Sequence, residues 1–399
     1  MIDLKAARAD AEATRAALAR KGAADAFDRL LEADERWRSL VPRVDELRGR
    51  TKLSGKPTDE EREELLRVKT ELKGLEDELA DAEAERDALA LRVPNLPADD
   101  VPDGSTEEDV REVRRVGEPP LLGEPLEHLE VGRFDMERAA RMSGARFGYW
   151  VGDTARLALA LYRFALDRLA EKGFLTVLPP VLVREQALIG TGALPSDEAN
   201  VYELPADGLY LAGTAEIPLA SLHAGELLEA DALPLRYVAF SPCFRREAGA
   251  AGRDTRGMIR VHQFNKVEQF SLTHPEDSWD ELERLLANTE ELVTELGLPY
   301  RVVVLPAGDM SSASAKTYDV EIWFPSQSRY RETASISNTT DFQARRLGIR
   351  VRGEGGPRSA HLLNGTAVVD RMALAILENF QGDVPPLLQE WGAPPRVER

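Results

Sequence analysis

The feature that most constrains this chain is an apolar seam between residues 25 and 93. In its second half Leu65, Val68, Leu72, Leu75, Leu79, Ala82 and Leu89 follow alternating three- and four-residue steps. That spacing keeps one stripe of a helix facing a partner helix over many turns. Arg86 interrupts the seam near its end. In the first half Leu30, Trp37 and Val44 form one row, and Ala33, Leu40 and Leu47 form the other. Between the halves lies Thr51–Asp59, where Gly55 and Pro57 stop a helix. Thr58, followed by acids, is an N-cap for a new one. The pattern predicts two antiparallel helices joined by a tight tip, each about 40–50 Å long at ~1.5 Å per residue. A hairpin of that length must project from a globular body. Pro42 lies within the first helix and is expected to kink it.

Two uses fit such a hairpin: an oligomerisation element or an arm that grips nucleic acid. Arg43, Arg48, Arg50, Lys52 and Lys56 gather toward the tip while the second helix is mostly acidic. The formal net charge of −19 argues against a nucleic-acid partner, because phosphate neutralisation drives such binding. Only local charge counts at a contact surface, so composition leaves the partner open.

After the seam, Val93–Ser105 combines prolines, a glycine and acids that break helix and strand alike. This places arm and linker at 1–105 and a second domain at 106–399. There, residues 153–172 read as an amphipathic helix, and Leu282–Leu296 and Ala367–Phe380 also read as helices. Val177–Val183, Leu235–Ser241, Met258–Val261, Val267–Leu272 and Arg301–Leu305 read as strands. Neighbouring strands with short turns predict an antiparallel sheet carrying helices, an α+β fold. No glycine-rich phosphate loop of Walker or dinucleotide type follows a strand. A single cysteine, Cys243, excludes a disulfide scaffold, and the five histidines lack metal-ligand spacing. The charged N-terminus has none of the apolar core of a secretory signal, and a cytoplasmic protein is expected.

The residues that bear chemistry fall in four runs. In Phe244–Glu268 a strand ends in Arg-Arg-Glu, a glycine-rich loop turns, and a strand returns with Phe264 and Glu268. Alternation puts Arg245 and Glu247 on one sheet face. An isolated pair of this kind can be a mere cross-strand ion pair. Three further runs argue otherwise: Leu211–Pro218 with Thr214 and Glu216, Tyr330–Asn338 with Glu332 and Ser335, and His361–Arg371, a polar turn leading into an apolar helix. Together they carry more carboxylates, hydroxyls and arginines at strand ends than a purely structural sheet needs.

With these runs in place, the sequence resembles bacterial-type seryl-tRNA synthetases, members of the class II aminoacyl-tRNA synthetases. The likeness extends from the N-terminal MIDLK to ILENFQ, and Arg245–Glu268 and Thr339–Arg346 are specific to that family. It implies a homodimer, with Phe174–Pro180 at the dimer interface, and a coiled-coil arm that grips tRNA(Ser) through the tip cations. The implied substrates are L-serine and ATP, with Mg²⁺ as cofactor. By the same match, Arg245 bridges the α-phosphate and the serine carboxylate. Glu247 accepts from the adenine amino group, Phe264 stacks on adenine, and Arg371 meets the γ-phosphate. Glu332 and Ser335 belong to the ATP and metal site. Arg246, Val261, Thr333 and Ala334 complete the matched ATP set. Thr214, Ala215, Glu216, Glu268, Asn364 and Thr366 match the serine pocket.

Two departures stand out. The tip is short, and Asp370 precedes Arg371 where the family has a small or neutral residue. An acid there either weakens ATP binding or points away. Three rival readings share these residues: a paralogue that passes activated serine to another acceptor, a duplicate that resists a seryl-adenylate mimic, and a catalytically dead scaffold. The complete set from Thr214 to Arg371 speaks against the last.

Overall fold

The computed structural model describes residues 1–52, 58–248, 257–353 and 355–398. Lys56, with the Gly55 and Pro57 expected to stop the first helix, lies outside them. The chain forms two compact units, Met1–Leu96 and Pro97–Arg399.

The first unit is helical. Two short helices, α1 (Leu4–Ala9) and α2 (Ala11–Ala19), precede the long α3 (Ala24–Arg50) and α4 (Asp59–Ala90). Helices α3 and α4 pack along the expected seam, with Leu40, Val44, Leu47, Val68, Leu75 and Ala82 buried and Trp37, Leu72 and Leu79 beside them. Arg86 keeps its seam position by stacking over the Trp37 ring, 4.0 Å from its centroid. Its charge is also balanced by Glu83 and Asp87. Thr58 caps α4 in a reciprocal box: its hydroxyl accepts from Glu61 N–H, and Glu61 accepts from Thr58 N–H. Helix α3 is continuous through Pro42. The buried Asp34 carboxylate is held by Arg8 at 2.7 Å and Arg38 at 2.9 Å, which ties α1 to α3.

The second unit is built on an eight-stranded sheet. Its strands are β1 (Arg111–Val116), β2 (Leu175–Val177), β3 (Leu235–Phe244), β4 (Gln263–Thr273), β5 (Tyr300–Val304), β6 (Lys316–Phe324), β7 (Arg329–Asn338) and β8 (His361–Val369). Their order in the sheet is β1-β5-β6-β7-β8-β4-β3-β2. Every pairing is antiparallel except that of β2 with β3. The expected α+β class is therefore the observed one.

Alternation along β4 divides the sheet into two faces. Val267 and Gln269 turn toward α8 (Ser278–Glu295), where Gln269 bonds to Leu285 O, Thr289 and Asn288. Glu268 and Phe270 turn the other way, toward α7 (Glu216–Ser221) and α9 (Phe342–Leu347). The site is built on that second face.

Four expectations are corrected. Val177–Val183 is not one strand: β2 ends at Val177 and a separate short strand starts at Leu182, because Pro179 and Pro180 cannot donate to a ladder. Met258–Val261 is a bend whose Met258 N–H goes to a side chain rather than a neighbouring strand. His361–Val369 is strand β8, and the helix read over Ala367–Phe380 begins only at Asp370, as α10 (Asp370–Asn379). The run is almost wholly buried on both faces, so its apolar residues carry no alternation to mark a strand. Finally, β3 stops at Phe244, and Glu247 has φ +51°. Strand alternation therefore does not set the directions of Arg245 and Glu247.

Candidate active site

Strands β4 and β8 lay the floor of the site. Phe264, Lys266 and Glu268 follow one another on the same face of β4, and Thr366 of β8 pairs with Glu268. Thr214, just before α7, closes a small network above them. Its hydroxyl accepts from Lys266 Nζ at 2.7 Å and lies 3.3 Å from Glu268 Oε2. Lys266 and Glu268 are in direct ionic contact, both buried. Sequence reasoning missed Lys266. Its two-residue spacing between Phe264 and Glu268 was the signal that could have found it.

Glu216 opens α7 and points inward. Its Oε1 accepts from Gln343 Nε2 at 2.7 Å and from Asn364 Nδ2 at 2.9 Å. Gln343, also absent from the sequence-based set, is fully buried on α9 and donates to Thr191 O as well. Burial, reinforced by the nearby Glu268 charge, pushes the Glu216 carboxyl up to about 7. Ala215 is buried beside it. Thr214, Ala215, Glu216, Glu268, Asn364 and Thr366 thus lie in one polar cluster.

A second group adjoins it. The Arg245 guanidinium lies 5.3 Å over the Phe264 ring, and its Nε donates to Gly213 O at 3.3 Å. The left-handed backbone at Glu247 turns its carboxylate to Arg260, which donates at 2.5 Å. Arg246 stacks 5.6 Å over Tyr202. Val261 is buried.

Arg371, at the start of α10, donates to the Glu332 carbonyl and, at 3.2 Å, to Ile259 O, and it faces the Glu332 carboxylate at 3.7 Å. Simple alternation puts Glu332 and Ser335 on opposite faces. Pairing of β6 with β7 shifts register so that Glu321 faces Glu332 and Val320 faces Ala334, leaving Thr333 as the extra residue of a bulge. The bulge returns Glu332 and Ser335 to one side, with Ser335 Oγ 3.5 Å from Glu332 Oε1. Thr333 Oγ1 donates to Val320 O, and Ala334 is buried.

Asp319 pairs with Ser335 across the sheet. Its Oδ1 is buried without a hydrogen-bond partner. Burial and the Glu332 charge hold its carboxyl well above the usual range. An orphaned carboxylate oxygen beside a second carboxylate and a hydroxyl is a set of hard oxygen donors, which fits a hard divalent cation.

Asp370 points away from this group. It accepts from the Tyr162 hydroxyl on α6 (Asp153–Glu171) and, at 3.0 Å, from Asn265 N–H. Its burial raises the carboxyl to about 6, against the pull of those two donors.

An antiparallel sheet that carries helices, with Arg245 and Arg371 just past the ends of β3 and β8, is the architecture of a class II synthetase core. Residues 202–380 match the model of the tRNA synthetase class II core domain (G, H, P, S and T), and residues 1–97 match that of the seryl-tRNA synthetase N-terminal domain. The chain belongs to the seryl-tRNA synthetase family. The serine–tRNA ligase of Thermobifida fusca is 47% identical over 399 residues, covering 96% of this chain and 94% of that protein. The serine–tRNA ligase of Geobacter sulfurreducens is 43% identical with the same coverage of 96% and 94%. Among solved structures, the seryl-tRNA synthetase from Pyrococcus horikoshii complexed with ATP superposes with a TM-score of 0.93 at 38% identity, covering 100% of both chains. The cytoplasmic serine-tRNA ligase from Naegleria fowleri in complex with AMP gives a TM-score of 0.88 at 31% identity, covering 98% of this chain and 96% of that one.

Proposed function

We propose that this chain activates L-serine with ATP to seryl-adenylate and transfers the seryl group to tRNA(Ser). The observation that carries the reading is the hydrogen-bonded polar cluster of Thr214, Glu216, Lys266 and Glu268, together with the Arg245–Phe264 stack. A serine carboxylate oxygen attacks the α-phosphorus of ATP. The bond to the bridging oxygen breaks and pyrophosphate leaves. A terminal tRNA hydroxyl then attacks the seryl carbonyl, and AMP departs.

Catalysis of this kind is mainly positioning and charge stabilisation. Arg245 bridges the α-phosphate and the serine carboxylate with its planar fork. Phe264 supplies the face for adenine and Glu247 the acceptor for its amino group. Arg371 meets the γ-phosphate. Glu216 and Glu268 attract the serine ammonium. Buried polar groups at Asn364 and Thr366 reject alanine, because its side chain leaves them unpaired. Glu332 and Ser335 would hold Mg²⁺, with Asp319 behind them. The ion supplies charge neutralisation for the phosphate oxygens when bound.

The first unit serves as the tRNA arm, with Arg43, Arg48, Arg50, Lys52 and Lys56 as phosphate contacts. Arg48 and Arg50 are exposed and paired with Glu76 at 2.9 Å and Glu64 at 3.0 Å, so phosphate must displace those acids. The protein works as a cytoplasmic homodimer. Supporting this, Leu175 on the edge strand β2 and Leu178 and Leu182 in the segment after it are exposed, apolar side chains that a second copy would cover. Among the described residues no helix is long and apolar enough to cross a membrane. Charging of total bacterial tRNA with labelled serine tests the reading. ATP-dependent transfer to tRNA is expected, whereas adenylate formation without transfer would favour a different acceptor.

A further inference from the structure

The segment that holds Arg371 belongs to no sheet ladder. Within the bend at 257–260, three consecutive residues each make a specific contact. Met258 N–H donates to His128 Nε2 at 3.1 Å. The Ile259 carbonyl accepts from Arg371 at 3.2 Å. Arg260 donates to Glu247 at 2.5 Å. His128 therefore stands one peptide away from the group that fixes Arg371.

His128 lies at the start of α5 (His128–Val131) and is only 3% exposed. Its Nδ1 is 2.8 Å from Glu378 Oε1. A backbone N–H can only donate, so Nε2 must carry the lone pair. The ring proton then sits on Nδ1 and is given to Glu378. Glu378, on α10, is itself fully buried. It also accepts from His128 N at 3.3 Å, from Ser326 N at 3.3 Å and from Ser326 Oγ at 2.6 Å. Its carboxylate thus fixes both the tautomer and the orientation of the ring. Gly257 completes the arrangement. With φ +76°, a Cβ there would come within 2.6 Å of His128 Nε2, so only glycine lets the backbone approach the ring.

We infer that His128, oriented by Glu378, is a positioning residue for ATP: through Met258 it sets the Ile259 carbonyl that aims Arg371. The inference rests on Arg371 being a γ-phosphate ligand. Two substitutions separate the two faces of the ring. His128→Asn places an amide nitrogen near the Nδ1 position, so Glu378 keeps its donor while Met258 N–H loses its acceptor. His128→Gln places an amide oxygen near the Nε2 position and restores that acceptor.

The assay is serine-dependent ATP–pyrophosphate exchange, with KM for ATP and for serine measured separately. Arg371→Ala serves as the benchmark. H128N is expected to raise KM for ATP about tenfold, the scale of one missing hydrogen bond, with KM for serine within about twofold of the parent. H128Q should return to within about threefold of the parent. Should H128N fail to fold, Gly257→Ala presses on the same hydrogen bond from the other side and must give the same ATP-selective defect. A parental KM for ATP in H128N beside an impaired R371A would overturn the inference alone. So would H128Q no closer to the parent than H128N. An unaltered KM for ATP in R371A would overturn the Arg371 reading itself, and the inference with it.

Discussion

Replacing Glu216 by glutamine should stabilise the serine-free protein at alkaline pH while weakening serine binding. In the folded chain the Glu216 carboxyl holds its proton up to about pH 7, against 4.5 for an ordinary glutamate. Between those values the native state binds the extra proton, so stability falls as pH rises. The contribution is complete below pH 4.5 and is lost as pH passes through about 7. At 1.36 kcal/mol per pKa unit, the full loss is roughly 3 kcal/mol. Both Gln343 and Asn364 donate to Oε1 alone. A glutamine can keep that oxygen in place and never carries the charge. At pH 8, E216Q should therefore melt roughly 5 °C above the parent, with the difference shrinking toward zero near pH 5. The missing carboxylate should raise KM for serine by about tenfold or more, the worth of a charge-assisted hydrogen bond. Thermal melts without serine from pH 5 to 8.5, paired with exchange kinetics, measure both. A pH-independent difference in melting temperature would refute the reasoning, as would an E216Q that melts below the parent at pH 8.

Arg245→Ala should lower kcat for adenylate formation by about 10²-fold, the scale of one missing transition-state donor, with little change in melting temperature. A mutant that unfolds yet retains full specific activity would reduce Arg245 to a structural role. Neutralising Arg43, Arg48, Arg50 and Lys52 together with glutamine should leave exchange intact and weaken tRNA binding. The log–log salt slope should become shallower by up to about one for each phosphate that is no longer neutralised. Because the ion pairs of Arg48 and Arg50 are exposed, their removal should cost little stability. Unchanged charging at two salt concentrations would remove these cations from the tRNA surface.

What could be read from the sequence was whatever obeys a local period. The α3–α4 seam repeats over many turns, and the Thr58 cap needs only residues within one turn of it. Strands β3, β4 and β5 were legible for the same reason. Where a distant group supplies the partner, the pattern misled. Met258 N–H bonds to His128, so a β-rich tetrad became a bend. The Thr333 bulge is set by pairing with β6 and puts Glu332 and Ser335 on one side, which alternation along β7 alone forbids. Asp370 looked like a threat to phosphate binding because its neighbour in sequence is Arg371. Its actual partners, Tyr162 and Asn265, come from an earlier helix and strand. Gln343 lies on α9, far in sequence from the Glu216 it holds, and only the fold brings them together.

The central claim is that this pocket reads serine for activation by ATP. ATP–pyrophosphate exchange measured with each of the twenty amino acids tests it most directly. Serine should give strong exchange, alanine none and threonine a weak signal, since size is a poorer filter than an unmet hydrogen bond. Exchange with alanine equal to that with serine would contradict the account, because the pocket would not then be reading the hydroxyl.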